Sequence, residues 1–189
     1  HPRVRIEHAA SVITMNEHPA MALRKKKDCS IGIAADLTAG TPGSVLVSAG
    51  HTGAVVAAAL MKVGRLESIE RPAVAACFPT MKGRAIILDV GGNVDCKPGH
   101  LVQFAWMGSL YAEHALGVNR PRVGLLNIGE EEAKGNELTK QVFTLLKASE
   151  LNFVGNVEPE AIYQGAADVV VADGFDGNVL LKASEAVSR

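Results

Sequence analysis

Aromatic residues make up only 4% of this 189-residue chain. A core therefore cannot rest on ring packing. It must come mostly from Val, Leu, Ile and Ala, which suits helices lying close on a parallel sheet. Cysteine is scarce too: Cys29, Cys77 and Cys96 lie far apart and form no CxxC pair. That argues against a disulfide framework or a zinc site and fits a reducing cytoplasm. There is no basic excess, because the formal net charge is -1. Nucleic acid is then a poor partner. The longest uncharged run, Leu37 to Met61, is interrupted by Gly40, Pro42, Gly43, Gly50 and Gly53. It reads as loop, strand, turn and helix rather than as a membrane span. No signal peptide is visible. The chain begins at His1 rather than Met, which leaves room for an upstream segment.

Several chemical signatures are missing. No two glycines stand two apart, so there is no GxGxxG fingerprint, and Walker A, GxSxG and HExxH patterns are absent. A P-loop and a covalent serine mechanism are disfavoured. Neither a metal nor a cofactor is expected.

What is present is a short-range alternation of strand and helix. The chain is 48% hydrophobic and 21% charged, enough to bury the core of one α/β domain spanning 1–189. Val4 to His8 reads as a short strand, Pro19 to Lys27 and Ser30 to Thr38 as helices. Val45-Leu46-Val47 reads as a buried strand, followed by a Gly-rich turn and an Ala-rich helix to Val63. Strands are expected at Ala85 to Leu88, Val123 to Leu126 and Asp168 to Val171. Helices follow from about His100 to Leu116, Asn136 to Ala148, and up to Ala186. Pro72 to Phe78 and Asn152 to Val154 supply shorter strands. This pattern argues for a three-layer, doubly wound, largely parallel sheet. The helix from Leu101 to Leu116 is apolar over most of its surface, as expected if it is fully buried or at a subunit interface.

Four strand-to-helix turns carry the polar chemistry: Ala49 to Gly53, Asp89 to Asp95, Asn127 to Glu130, and Asp173 to Asn178. In an open α/β sheet, ligands bind outside the carboxyl ends of the strands. Helix N-termini there offer free N–H groups to an anion. These turns are expected to build one anion-binding cleft. Each has a plainer reading as a set of caps and tight turns. Lys134 reads either as a surface lysine balancing Glu130, Glu131 and Glu132 or as a cation at the cleft. Asn178 reads as a cap or as an amide donor to a carbonyl oxygen. Asn93 and Asp95 read as turn residues or ligand contacts, and so does His51. Cys96 has no His–Asp partner pattern and reads as structural. Arg24-Lys25-Lys26-Lys27 reads as a solvated face that could also attract an acidic carrier protein.

Six strings then carry a specific resemblance. They are Val47 to Ala54, Leu88 to Pro98, Pro121 to Glu131, Lys134 to Lys140, Asn152 to Glu158 and Asp173 to Val179. In order and in content they resemble the bacterial phosphate acyltransferase family of the PlsX type, over essentially the whole chain. The resemblance implies a fold similar to the isocitrate and isopropylmalate dehydrogenases and to phosphate acetyltransferase. It implies transfer of a fatty acyl group from acyl carrier protein (ACP) to inorganic phosphate, giving acyl phosphate for phospholipid synthesis. It also implies a cytoplasmic homodimer with peripheral association at the inner face of the cell membrane. By this likeness Lys134 and Asn178 are the catalytic candidates. His51, Thr52, Gly53, Asn93, Asp95, Asn127, Asn136 and Gly177 are the expected substrate-binding residues.

Departures accompany the likeness. The family usually has Asn where His51 stands and Ala where Gly92 stands. Its amino-terminal Met-Gly-Gly-Asp-type segment is absent, and the chain stops at Arg189, before the family's carboxyl-terminal part. The family's membrane-contacting helices fall mostly beyond that point. Alternatives are an acetyltransferase-like enzyme using acyl-CoA and a non-catalytic ACP-binding module. An NAD-linked dehydrogenase fits less well, since no Arg-rich substrate site or metal-binding Asp trio is seen.

Overall fold

The computed structural model describes residues 3–188. The chain separates into two compact units, His1–Pro72 and Ala73–Arg189, and each is described by itself.

The first unit is helical. Helices α1 (Pro19–Lys25), α2 (Ser30–Ala39) and α3 (Thr52–Ala58) pack around Ile13, Ala22, Leu23, Cys29, Ile31, Ala35, Ala54 and Ala58. α3 runs on into a single π-turn, Ala59–Val63. Two expected strands do not form. Residues 4–8 have no strand structure, and neither do residues 45–47, where Val45 is 82% exposed and Val47 90% exposed. A short apolar run becomes a strand only where a neighbour accepts its backbone hydrogen bonds. Among the described residues of this unit, the sole ladder contact is one parallel bridge between Ser11 and Cys29.

The second unit is a five-stranded sheet in the order β1-β2-β5-β3-β4. The strands are β1 (Ala75–Thr80), β2 (Gly83–Leu88), β3 (Val123–Leu126), β4 (Phe153–Val157) and β5 (Val169–Val171). β1 is antiparallel to β2, and the remaining neighbours are parallel. Alternation sends successive side chains to opposite faces. Val169 and Val171 join Leu101, Phe104, Val142 and Leu146 on one face, under α4 (Pro98–Leu116) and α5 (Glu137–Lys147). Val170 and Ile87 join Val157 and Ile162 on the other, under α6 (Pro159–Tyr163) and α7 (Gly174–Val187). Residues 169–171 are fully buried, and burying each Val side chain contributes about 1.5–3 kcal/mol. The result is the doubly wound, mostly parallel sheet that the alternation implies. α6 is an element that the sequence pattern does not announce.

α4 follows from its residues. Pro98 occupies the first turn, where a missing N–H costs nothing. Leu101, Phe104, Ala105, Gly108 and Ala112 form the buried stripe. A Cβ at Gly108 would stand 2.6 Å from Val169 Cγ1 and 2.7 Å from Leu88 Cδ1, so the helix backbone lies directly on the sheet. Gly117 ends the helix in the left-handed conformation. The far face is open: Trp106, Leu110 and Tyr111 are exposed. Among the described residues, no helix is long and apolar enough to cross a membrane.

Two contacts fix the strand ends. At the start of β3 and β5, Arg122 donates from its backbone N (2.8 Å), Nε (3.0 Å) and NH2 (2.8 Å) to the Asp168 carboxylate. At the opposite end, α7 abuts the turn after β2. Gly174 N donates to the Asn93 carbonyl at 2.9 Å, and a Cβ on Gly177 would collide with the Asp89 carbonyl oxygen.

Arg122 holds the Asp168 carboxyl below its ordinary value, against an opposing push from burial. A lowered folded-state pKa adds stability above the unfolded pKa, about 3.9, and that stability is lost as pH falls through the folded value. Asp168→Asn is expected to lower stability by about 1–2 kcal/mol near neutrality, a modest figure because the pair is partly solvated. In urea titrations the gap between the two proteins should narrow below about pH 4. A gap that stays constant to lower pH would exclude the ion pair as its source. Gly177→Ala is expected to cost about 1–3 kcal/mol through overpacking, read as a lower thermal midpoint. An unchanged midpoint would show that α7 does not abut the β2 turn as described.

Candidate active site

The turn after β2 is organised by one buried carboxylate. Asp89 is fully buried. Its Oδ1 accepts from the backbone N–H groups of Val74 (3.0 Å), Gly91 (3.1 Å) and Gly92 (2.9 Å), and its Oδ2 from Asn93 Nδ2 (2.7 Å). A buried charge is tolerated only with such compensation. The Asn93 amide is thus aimed at Asp89, and its carbonyl receives Gly174 N and the Cys96 thiol (3.3 Å).

The turn after β5 locks onto this one. Asp173 caps α7 by accepting from Phe175 N (2.8 Å), and its other oxygen accepts from Cys96 N (3.0 Å). Asn178 Nδ2 donates to the Val90 carbonyl at 2.9 Å. A Cβ at Gly91 would collide with that amide, so glycine is what admits it. The Cys96 thiol is pushed up to about 12, first by burial and then by Asp173. A thiol held protonated in this way is a poor nucleophile.

The turn after β3 holds the expected cation. Asn127 is buried; its Oδ1 accepts from Ile128 N (2.9 Å), and its Nδ2 donates to the Lys134 carbonyl (3.3 Å). Lys134 is exposed, and among the described residues its ammonium has no hydrogen-bond or ion-pair partner. Nearby Glu132 is engaged instead with Lys147 at 2.8 Å. Gly135 has φ +89°, and a Cβ there would collide with Thr139 Oγ1. Asn136 caps α5 by accepting from Thr139 N at 2.9 Å.

A cavity of about 760 Å³ opens at the carboxyl end of β3, between the starts of α5 and α6 and the flank of α7. Its wall is apolar, from Leu126, Ile128, Pro159, Phe175, Val179, Leu180 and Ala183, and its polar lining is Asn127, Asn136, Thr139 and Asp176. Burial, then Asp173, raises the Asp176 carboxyl above its ordinary value. The N-terminal turns of α5 and α7 both line this cavity, and their dipoles favour negative charge there, with the Asp176 carboxylate opposing it.

The structure sorts the expected residues. Asn127 and Asn136 line the cavity, whereas Lys134, Asn178, Asn93, Asp95 and Gly177 do not. Lys134 is next to lining residue Gly135. Asn93, Asn178 and Gly177 belong to the junction of the β2 and β5 turns, and Asp95 is exposed. His51, Thr52 and Gly53 lie in the first unit at the start of α3, where His51 Nδ1 accepts from Gly53 N at 3.2 Å. Sequence reasoning passed over Asp89, Asp173 and Asp176. An Asp directly after a buried strand, before Gly-Gly, was the available signal for Asp89. Among the described residues, no group of three His, Cys, Asp or Glu side chains is placed to hold a metal ion.

Comparison with known proteins now adds identity. The model of a family described as "Fatty acid synthesis protein" matches residues 1–189. Proteins named Phosphate acyltransferase are 55% identical over 187 residues in Desulfitobacterium hafniense strain Y51 and 54% identical over 185 residues in Halothermothrix orenii. These alignments cover 98% and 97% of this chain but 56% and 55% of those proteins. The chain thus spans about half the length of the curated relatives it matches. Among solved structures, a EutD phosphotransacetylase from Staphylococcus aureus aligns with TM-score 0.63 at 17% identity, covering 84% of this chain and 55% of that one. A branched-chain phosphotransacylase from Enterococcus faecalis V583 aligns with TM-score 0.57 at 18% identity, covering 81% and 62%. Those two likenesses are of fold, while the family match spans every residue: the chain belongs to the fatty acid synthesis protein family, whose curated members similar to it are named phosphate acyltransferases.

Proposed function

We propose that this chain carries out acyl transfer to inorganic phosphate, taking a fatty acyl group from an ACP thioester and yielding acyl phosphate. The observation that carries the reading is the apolar cavity rimmed by the N-terminal turns of α5 and α7. One end suits an alkyl chain and the other suits an anion.

The chemistry asks little of the protein beyond placement. Phosphate brings its own nucleophilic oxygen, so no activated Ser or Cys is required. That oxygen of hydrogen phosphate attacks the thioester carbonyl carbon, the tetrahedral oxyanion collapses, and the carbon–sulfur bond breaks to release the carrier thiolate, which takes up the proton that the phosphate carried. Lys134 holds phosphate charge. Asn178 spends one amide hydrogen on Val90, which leaves the other to donate to the oxyanion. Asn127 and Asn136 orient the substrate at the rim. Asn93, Asp95 and Gly177 act from the neighbouring turn, and a substrate role for His51, Thr52 and Gly53 rests on the resemblance alone.

The partner is acyl-ACP, and exposed Arg24, Lys25 and Lys27 offer an acidic carrier a basic face. Lys26 is already engaged by Glu17 at 2.8 Å. The chain works as a cytoplasmic homodimer, for which the open apolar face of α4 is the supporting feature, with peripheral association at the membrane. Transfer of a short acyl group from coenzyme A is the second reading, favoured by the fold of the two phosphotransacylase-type neighbours.

Incubation with phosphate and either long-chain acyl-ACP or acetyl-CoA separates the two. Acyl phosphate should form from acyl-ACP, and turnover of acetyl-CoA alone would overturn the long-chain reading. Binding of acyl-ACP without turnover would indicate a non-catalytic carrier-binding module. Lys134→Ala and Asn178→Ala are each expected to lower kcat/KM by about a hundredfold. If both variants keep parental rates, this site is not the catalytic one. Val179→Trp narrows the cavity and should shift the preference of a chain-length series towards shorter acyl groups. An unshifted preference would place the acyl chain elsewhere.

A further inference from the structure

Lys134 sits on a loop, residues 128–136, that would be mobile if left to itself. Several features hold it down. Lys134 N donates to the Glu131 carbonyl at 3.0 Å, closing a tight turn. The Lys134 stem lies across Gly129, where a Cβ would stand 2.8 Å from Lys134 Cγ and 2.9 Å from Glu131 Oε2. Asn127 donates to the Lys134 carbonyl from below. The remaining support comes from a different strand. Asn156 on β4 is 6% exposed, and its Nδ2 donates to the Glu131 carbonyl at 2.9 Å. The orientation of that amide is dictated by its partner, since a carbonyl demands a donor.

The other end of the same amide is unusual. Asn156 Oδ1 is buried and, among the described residues, has no hydrogen-bond partner. A buried acceptor without a partner works against stability. An apolar side chain of similar size at this site would fill the same space without that penalty. The amide is therefore better explained by what its donor does than by packing.

We propose that Asn156 is a positioning residue for Lys134. Together with Asn127 it clamps the two ends of the Glu131–Lys134 turn, and so fixes the backbone that carries the ammonium, next to the cavity-lining Gly135. The inference rests on the reading of Lys134 as the cation that holds phosphate. It assigns a role to a β4 side chain about 25 residues along the chain from its partner, outside every turn that forms the site.

The test is Asn156→Leu, which keeps the branching and the number of heavy atoms and removes both the donor and the unpartnered acceptor. Its thermal midpoint should stay near or above that of the parent. Backbone amide exchange over residues 130–136 should accelerate, while that of β3 and β4 stays slow. kcat/KM for phosphate should fall by about ten- to a hundredfold, as misplaced catalytic groups do, with KM for acyl-ACP unchanged. Asn156→Ser keeps a shorter donor and should recover part of the loss. A lowered midpoint with parental exchange in the loop and parental phosphate kinetics would overturn the proposal, because it would mark a residue that only packs. Should Asn156→Leu fail to fold, the parent decides. The Asn156 side-chain amide hydrogens should exchange far more slowly than those of an exposed Asn, and rapid exchange would show that no clamp exists. If the parent makes no acyl phosphate, the functional reading falls by itself, and loop exchange still decides whether Asn156 holds the turn.

Discussion

The arrangement at the carboxyl edge of the second unit depends on one buried carboxylate. Asp89 receives three backbone N–H groups and the Asn93 amide. With those donors in place, the chain after β2 is folded back around the carboxylate, and the Asn93 carbonyl is turned to meet α7. Take the carboxylate away and the donors of Val74, Gly91 and Gly92 lose a charged acceptor in a dry setting. The start of α7 then loses the carbonyl that receives Gly174 N. One side chain thus couples the β2 turn, the β1 approach at Val74 and the seat of α7.

Small residues turn that coupling into close contact. Gly91 admits the Asn178 amide, and Gly177 lies against the Asp89 carbonyl. Side chains at either position would lift α7 from the sheet edge. The cavity wall depends on the same seating, because Phe175, Val179 and Ala183 on α7 form one side of it. Residues that build the β2–β5 junction therefore shape the cavity from behind, without lining it. The distinction between a structural glycine and a functional one is not sharp here, since the packing of Gly177 decides where Phe175 stands.

The second unit was largely legible in the sequence; in the first, the helices were legible and the two strands were not. β3 at Val123–Leu126 and the Asn136 cap of α5 follow from local signals: a compact apolar run, then Gly-Asn ahead of an amphipathic helix. These signals need no distant partner. By contrast, Val45-Leu46-Val47 is as apolar as a strand but meets no neighbouring backbone among the described residues of its unit, and two of its three side chains are exposed. The site divides in the same way. Turns rich in Gly and Asn can be seen from sequence, and so can their position at strand ends. What they touch cannot. Asp173 reaches Cys96 across 77 positions, and Asn178 reaches Val90 across 88. Such contacts are set by strand order, in which β5 is inserted between β2 and β3.

That insertion also sets Asn178, which lies within α7 rather than capping it, against the β2 turn, where it can serve as a chemical group on the proposed function. An amide with two hydrogens can anchor itself with one and offer the other, and Asn178 is anchored to Val90. Anchoring removes rotamer freedom before the substrate arrives, which lowers the cost of orienting the donor during reaction. The same logic covers Lys134, whose backbone is tied at both its N–H and its carbonyl while its ammonium has no partner among the described residues. On the proposed function phosphate is the nucleophile and no side chain has to be activated for attack, and the upward push of burial and Asp173 on the Cys96 thiol fits that. Fixed donors around a suitably shaped space are then what such a reaction requires. On the proposed function, capping and catalysis divide between neighbouring residues of these turns: Asn136 and Asp173 end the helices, while separate hydrogen bonds hold Asn178 and the Lys134 backbone.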